Sequence, residues 1–195
     1  MKPQAIDTPS PEIVRSYLKL WEEEEKYALP ERALSNLFAH TYPKNTDLDQ
    51  ILIKASALNN LFSTNIFNIL EVAKHIQALD IDERLRSGDL SLVDELAKID
   101  FNNKSWCFFS FATKYCSFHN PEFFPIYDSY VEKVLLYFGR LDKFFTFDAS
   151  DLRDSHTFIR VHDAFQKHYG LTAFNKRQLD HYLWLVGKDN SAKKA

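Results

Sequence analysis

Only four glycines occur in 195 residues, and no other feature limits the fold as strongly. Tight turns between strands use backbone with positive φ, which glycine adopts without steric cost. So few glycines favour helices joined by short loops over a β-rich fold with many turns. Apolar residues make up 45% of the chain, enough to bury a core. The 17 phenylalanines are many for a chain this size; most are expected in the core, with some left to line a cleft. The fold class expected is all-α: a single helical domain over 1–195, with an extended arm at 1–10 and a flexible tail at 189–195. The alternative is two helical lobes flanking a cleft.

Helical spacing and end signals place the elements. Ser10 is a candidate N-cap with Pro11 in the first helical position, followed by Ile13, Val14, Tyr17, Leu18 and Trp21. A second helix is expected after Pro30, stopping near Pro43. Asp47 or Asp49 opens a long helix to Leu61, broken at Ser63-Thr64-Asn65, and another runs from Ile66 to Ile76. Arg84 to Gly88 reads as a turn, Ser91 to Ile99 as a helix and Phe101 to Lys104 as a connection. An aromatic helix runs from Ser105 or Ser110 to Phe118 and ends at Asn120-Pro121. Asp128 opens a helix that ends at Gly139. The last two helices cover about 155–169 and 176–186, the latter capped by Asn175 and stopped by Gly187. The total is eight or nine.

Net charge is −3, which argues against a general nucleic-acid coat, but the C-terminal part is basic through Arg153, Arg160, Lys167, Lys176, Arg177, Lys188, Lys193 and Lys194. Glu22 to Glu25 read as a solvated helix face. Cys107 and Cys116, nine residues apart on an expected helix, read as small buried side chains. Two cysteines exclude a four-cysteine iron–sulfur cluster and show no zinc spacing. His119 and His156 likewise lack metal-ligand spacing and read as structural histidines. No cofactor or metal is expected. No signal-peptide pattern and no run of about 20 apolar residues is present, so the chain is placed in the cytoplasm and away from membranes.

The most informative stretch is Phe124-Pro125-Ile126-Tyr127-Asp128-Ser129-Tyr130-Val131-Glu132-Lys133-Val134-Leu135. It resembles the segment by which helix–hairpin–helix DNA glycosylases, notably adenine-mismatch glycosylases and endonuclease III-like enzymes, present their catalytic aspartate. In that superfamily a helix ends, a short loop carries a proline, and an Asp starts the next helix. The resemblance implies a multi-helix glycosylase fold and makes Asp128 the catalytic carboxylate. A helix N-terminus favours the ionised carboxylate, and an ionised carboxylate stabilises an oxocarbenium-like sugar or activates water against it. On position alone, Asp128 reads as an N-cap, and it is the flanking resemblance that favours catalysis.

The departures matter as much. The family's hairpin glycines, which bring backbone amides to a DNA phosphate, fall on Trp106 and Phe108, so the hairpin is degenerate. The nucleophilic lysine of bifunctional members falls on Ser110, which implies a monofunctional, water-using enzyme. Lys114, on the same helix face as Ser110 and Ser117, is a candidate nucleophile, a phosphate or carboxylate partner, or a solvated lysine. Asn59 or Asn60 corresponds to the polar residue that fills the gap left by a flipped base. Phe123, Phe124, Tyr127, Tyr130 and Trp106 are candidates for sandwiching that base, against the alternative that each is core.

The expected function is therefore a DNA glycosylase-like enzyme that hydrolyses the N-glycosidic bond of a modified or damaged base, with DNA as partner. A hypermodified phage base would make it an antiviral defence protein. The alternatives are a non-catalytic nucleic-acid-binding module on the same scaffold and a small protein–protein adaptor with an aromatic surface.

Overall fold

In the computed structural model, which describes residues 6–192, the Ser10 side chain accepts the N–H of Ile13 at 3.3 Å, and α1 (Pro11–Glu23) begins at the expected cap. Pro3 of the expected arm and Lys193 and Lys194 of the expected tail lie outside the described residues. Residues 6–10 are in neither helix nor strand, Ser10 is extended, and the Ile6 N–H donates to the Tyr137 hydroxyl at 3.3 Å. The remaining elements are α2 (Glu25–Asn36), a π-helical turn (Leu37–Thr41), α3 (Leu48–Leu61), α4 (Ile69–Ala78), α5 (Asp82–Ser87), α6 (Ser91–Ala97), β1 (Lys98–Phe101), β2 (Lys104–Cys107), α7 (Phe109–His119), α8 (Ser129–Asp142), a 3-10 turn (Asp151–Arg153), α9 (Ser155–His168) and α10 (Lys176–Ala192). The chain is mostly helical.

It divides into two compact units. One contains the residues up to Glu24 and those from Tyr127 onward, and the other is Glu25–Ile126. In the first, α10 packs against α8 and α1, and α8 against α9. Phe138, Phe158, Phe165, Leu179 and Leu183 are fully buried there. In the second, α3 packs against α4 and α7, and α6 against α7, around Phe38, Ile51, Leu58, Ile76, Leu96 and Phe111.

Several expectations are corrected. The acidic run is a junction: Glu22 and Glu23 end α1, Glu24 is extended and Glu25 opens α2. Pro30 lies inside α2 rather than ahead of it. As the sixth residue of α2 it lacks the N–H that would donate to the Lys26 carbonyl within the helix. Arg84–Gly88 belongs to α5, with Gly88 as its left-handed C-cap. Asp189 to Ala192, expected in a flexible tail, continue α10.

The fold is also not purely α. Lys98–Phe101 and Lys104–Cys107 form an antiparallel hairpin in the register Lys98↔Cys107, Ile99↔Trp106, Asp100↔Ser105 and Phe101↔Lys104. Asn102 and Asn103 have φ of 54° and 56°, the left-handed pair that a two-residue hairpin turn demands. Asparagine tolerates this region, so the scarcity of glycine does not forbid the turn. Cys107 is exposed on β2 rather than buried on a helix, while Cys116 is buried in α7.

Gly139 and Gly187, expected to stop helices, lie inside α8 and α10. A Cβ on Gly187 would lie 2.6 Å from the Tyr130 carbonyl oxygen, and one on Gly139 would lie 2.8 Å from the Phe147 ring. Both mark places where packed elements approach too closely for a side chain. Gly187→Ala is therefore expected to destabilise the protein by about 1–3 kcal/mol, seen as a lower urea midpoint. An unchanged midpoint would mean that α8 yields freely.

Candidate functional site

Asp128 caps α8. Its backbone is extended, with φ −146° and ψ 155°, and its Oδ1 accepts the Tyr130 N–H at 2.9 Å. The carboxylate is half-buried, and Phe124, Pro125, Ile126 and Tyr127 immediately before it are buried. Tyr127 donates to the Glu132 carboxylate and stands edge-on to Phe158 at 5.7 Å. Burial, followed by the bond to Glu132, pushes its hydroxyl up to about 12. Tyr130 meets Trp184 edge-on at 5.7 Å, with Lys133 Nζ 5.1 Å above its ring. Tyr127 and Phe124 are thus packed side chains, which corrects their expectation as free platforms for a base.

Within Glu25–Ile126, Lys114 and Ser110 come together as the helical spacing predicts: Lys114 Nζ donates to Ser110 Oγ at 2.6 Å. Lys114 is buried, which removes the solvated-lysine alternative. Asn59 has a structural task instead of an open one. Its Oδ1 accepts the Ile66 N–H at 3.0 Å and the Thr64 hydroxyl at 2.7 Å, and its Nδ2 donates to the Ile66 carbonyl at 3.0 Å. These bonds stitch the turn in which Ser63 and Asn65 adopt left-handed backbone. Asn60 is exposed beside it. Phe123 is 39% exposed with its ring against Gly88. Trp106 is 42% exposed and lies parallel to Phe101 and Phe108 at 5.6 and 6.0 Å. His156 is exposed on α9 rather than built into the core.

A second group of polar side chains was not expected from the sequence. Lys54 on α3 is fully buried. Its Nζ donates to the Lys44 carbonyl at 2.9 Å and Asn45 Oδ1 at 2.7 Å, and lies 3.2 Å from His119 Nε2. Asn45 Oδ1 also accepts the Tyr115 hydroxyl at 2.6 Å. The Asn45 backbone N–H donates to both Asp82 oxygens at 3.1 Å, and its Nδ2 donates to Asp82 Oδ1 at 2.7 Å. Phe38, placed by the π-helical turn, closes the group, with Nζ 5.4 Å above its ring. Burial holds the Lys54 amine down to about 8, against the opposing pull of Asp82. Burial and the Lys54 charge hold the His119 imidazole down to about 3. His119 is thus neutral at neutral pH. Because an ammonium can only donate, Nε2 is the acceptor and the ring proton resides on Nδ1, an assignment made from the network.

Above this group lies a pocket of about 360 Å³ lined by Lys44, Asp82, Arg86, His119 and Asn120, among others. Among the described residues, no group of three or more His, Cys, Asp or Glu side chains could hold a metal ion, and no helix is long and apolar enough to cross a membrane.

The sequence pattern of the HI_0787_N family, described as an N-terminal domain, matches residues 13–123. That match covers more than half of the chain. The chain belongs to this family. It is also 50% identical over 146 residues to a Haemophilus influenzae protein named only as uncharacterized, covering 74% of this chain and 70% of the relative. No solved structure matches. The family match contains Lys54, Asn45, Asp82 and His119 and stops before Asp128, so the two candidate centres fall on different sides of its boundary.

The missed group left one faint signal, a lysine at an inward-facing position of α3 beside Ile51, Ala55 and Leu58. Its partners come from positions as far as 65 residues away, beyond any local pattern. The group also predicts an acid response. The folded pKa of His119 lies below the unfolded value of 6.5, so from about 6.5 down to about 3 the unfolded chain binds the additional proton. Stability is expected to fall with pH across that window, by up to about 1.4 kcal/mol per pH unit from this group. Urea titrations at stepped pH read the slope, and His119→Gln is expected to flatten it. An equally steep slope in that variant would assign the acid response to the carboxylates alone.

Proposed function

We propose that this chain is a monofunctional DNA glycosylase-like enzyme with Asp128 as its catalytic carboxylate. The observation that supports this most directly is the cap geometry. A half-buried carboxylate is held at the start of α8 by the Tyr130 N–H, after a buried proline-containing loop. A carboxylate so placed suits hydrolysis at C1′ of a flipped nucleotide. The N-glycosidic bond breaks with its electron pair leaving on the base. A water oxygen then bonds to C1′, and the water proton passes to Asp128. The Lys114 amine already donates to the Ser110 hydroxyl, which speaks against a nucleophilic role.

Where the resembling enzymes carry a glycine hairpin, this chain has β2 and the start of α7, with Trp106 and Phe108 stacked in place of approachable amides. An unusual substrate follows from that exchange, and a hypermodified phage base in the cytoplasm fits it, with antiviral defence as the biological role. One observation favours a non-catalytic nucleic-acid-binding module instead. The parallel rings of Phe101, Trp106 and Phe108 on an exposed hairpin suit base stacking without chemistry. Incubation with genomic and modified phage DNAs, followed by alkali, separates the two. Strand breaks that need alkali are the result expected of the enzyme, whereas intact DNA throughout would sink the enzymatic reading.

A further inference from the structure

We propose that the pocket formed by Lys44, Arg86 and His119 is a binding site for a phosphate group. The inference stands apart from the glycosylase reading, because every residue it uses lies within Glu25–Ile126.

Three separate elements supply donors to this pocket. Lys44 comes from the loop before α3, Arg86 from α5 and His119 from the last turn of α7. Lys44 is exposed, and only its carbonyl oxygen is used, by Lys54. Arg86 is bonded to Glu83 one turn away, but both side chains are more than 70% exposed. Such a pair contributes little and is readily exchanged. The Asp82 carboxylate also lines the pocket and accepts the Asn45 backbone N–H and Nδ2–H, and the positive side chains of Lys44, Arg86 and the buried Lys54 outnumber it.

The floor is what makes this a built site rather than a cationic dent. Lys54 and Asn45 Nδ2 both address His119 Nε2, each at 3.2 Å. That ring nitrogen is thereby held as an acceptor, and the other, Nδ1, is left as an N–H donor for which no partner occurs among the described residues. A buried ammonium held by two oxygens and an imidazole is costly unless it serves a purpose. Fixing the tautomer of a neutral histidine on a pocket wall is such a purpose. Asn120 Nδ2, bonded to the Leu85 carbonyl at 3.0 Å, ties the end of α7 to α5 and holds the two walls together. An arginine, a lysine and a neutral histidine, brought to one pocket by three separate elements, suit an acceptor with several outward oxygens, which is the shape of a phosphate. A volume of about 360 Å³ leaves room for a group attached to it.

The test is a titration of the full chain with inorganic phosphate, followed by ¹⁵N resonances of the His119 ring, at ionic strength held constant with chloride. A saturable shift at Nδ1, with Nε2 remaining an acceptor, is expected. Arg86→Gln and Lys44→Gln together weaken binding about tenfold or more, and neither exposed substitution disturbs the fold. Glu83→Gln frees Arg86 and tightens binding. An oligodeoxynucleotide then separates the sources: displacement of bound phosphate assigns the site to a nucleic-acid backbone, and no displacement assigns it to a free phosphate or monoester. No saturable shift, or an equal response to chloride, overturns the proposal. So does full affinity in the double variant. Absence of base release from any DNA would leave this result untouched.

Discussion

Asp128→Asn is expected to abolish base release while leaving the fold as stable as before. Asparagine caps helices about as well as aspartate and presents the same oxygen to the Tyr130 N–H, now 2.9 Å from Oδ1. Unfolding free energies should therefore agree to within about 0.5 kcal/mol. The variant loses the charge that would support an oxocarbenium-like sugar and the base that would take a proton from water. A loss on the order of 10²–10⁴-fold in rate follows. Asp128→Ala loses the activity and about 1 kcal/mol of stability with the cap. An alkali-cleavage gel and a urea titration on the same preparations read both quantities. An Asp128→Asn protein that releases bases at the wild-type rate would reduce Asp128 to a helix cap.

Lys54→Met is expected to have the largest effect on stability, a net loss of about 2–5 kcal/mol. Two opposing contributions set that range. Hydrogen bonds from a charged donor contribute about 1.5–3 kcal/mol each, and Lys54 makes three, to two oxygens and to His119 Nε2. Against them stands the desolvation that holds the amine at about 8 instead of 10.5, about 3 kcal/mol at 1.36 kcal/mol per unit, which methionine does not suffer. The hydrogen bonds win because removing Lys54 leaves the Lys44 carbonyl without its donor. Asn45 Oδ1 still receives the Tyr115 hydroxyl. A second readout separates this from ordinary core damage. The His119 imidazole titrates at higher pH in the variant, because the neighbouring positive charge is gone. A variant as stable as wild type, with His119 unmoved, would show that the network neither holds the fold nor tunes the ring.

The helix starts were legible in the sequence because capping is local. Ser10, Asp47 and Asp128 each accept a backbone N–H two or three residues on. Asn175 exchanges bonds with Gln178 in the same way, its side chain accepting the Gln178 N–H at 2.9 Å. Such bonds are decided within one turn, so short patterns reveal them. The i,i+4 approach of Lys114 to Ser110 was legible for the same reason. The hairpin was not, because Asn102-Asn103 reads as polar loop until Ile99 and Trp106 are seen to pair across it. The two glycines inside α8 and α10 were misjudged on local grounds, since their reason lies in Phe147 and Tyr130.

By itself, then, the sequence determined a mostly helical chain, the caps that begin several of its helices and an aspartate at the head of α8. Only the tertiary structure decided that Asn45 meets Tyr115 across 70 positions and His119 across 74, enclosing Lys54 between them. Caps follow from the chain's immediate neighbours. Burial of a charge, the tautomer of a ring and the walls of a pocket follow from which distant side chains share one low-dielectric space, and no local pattern carries that information.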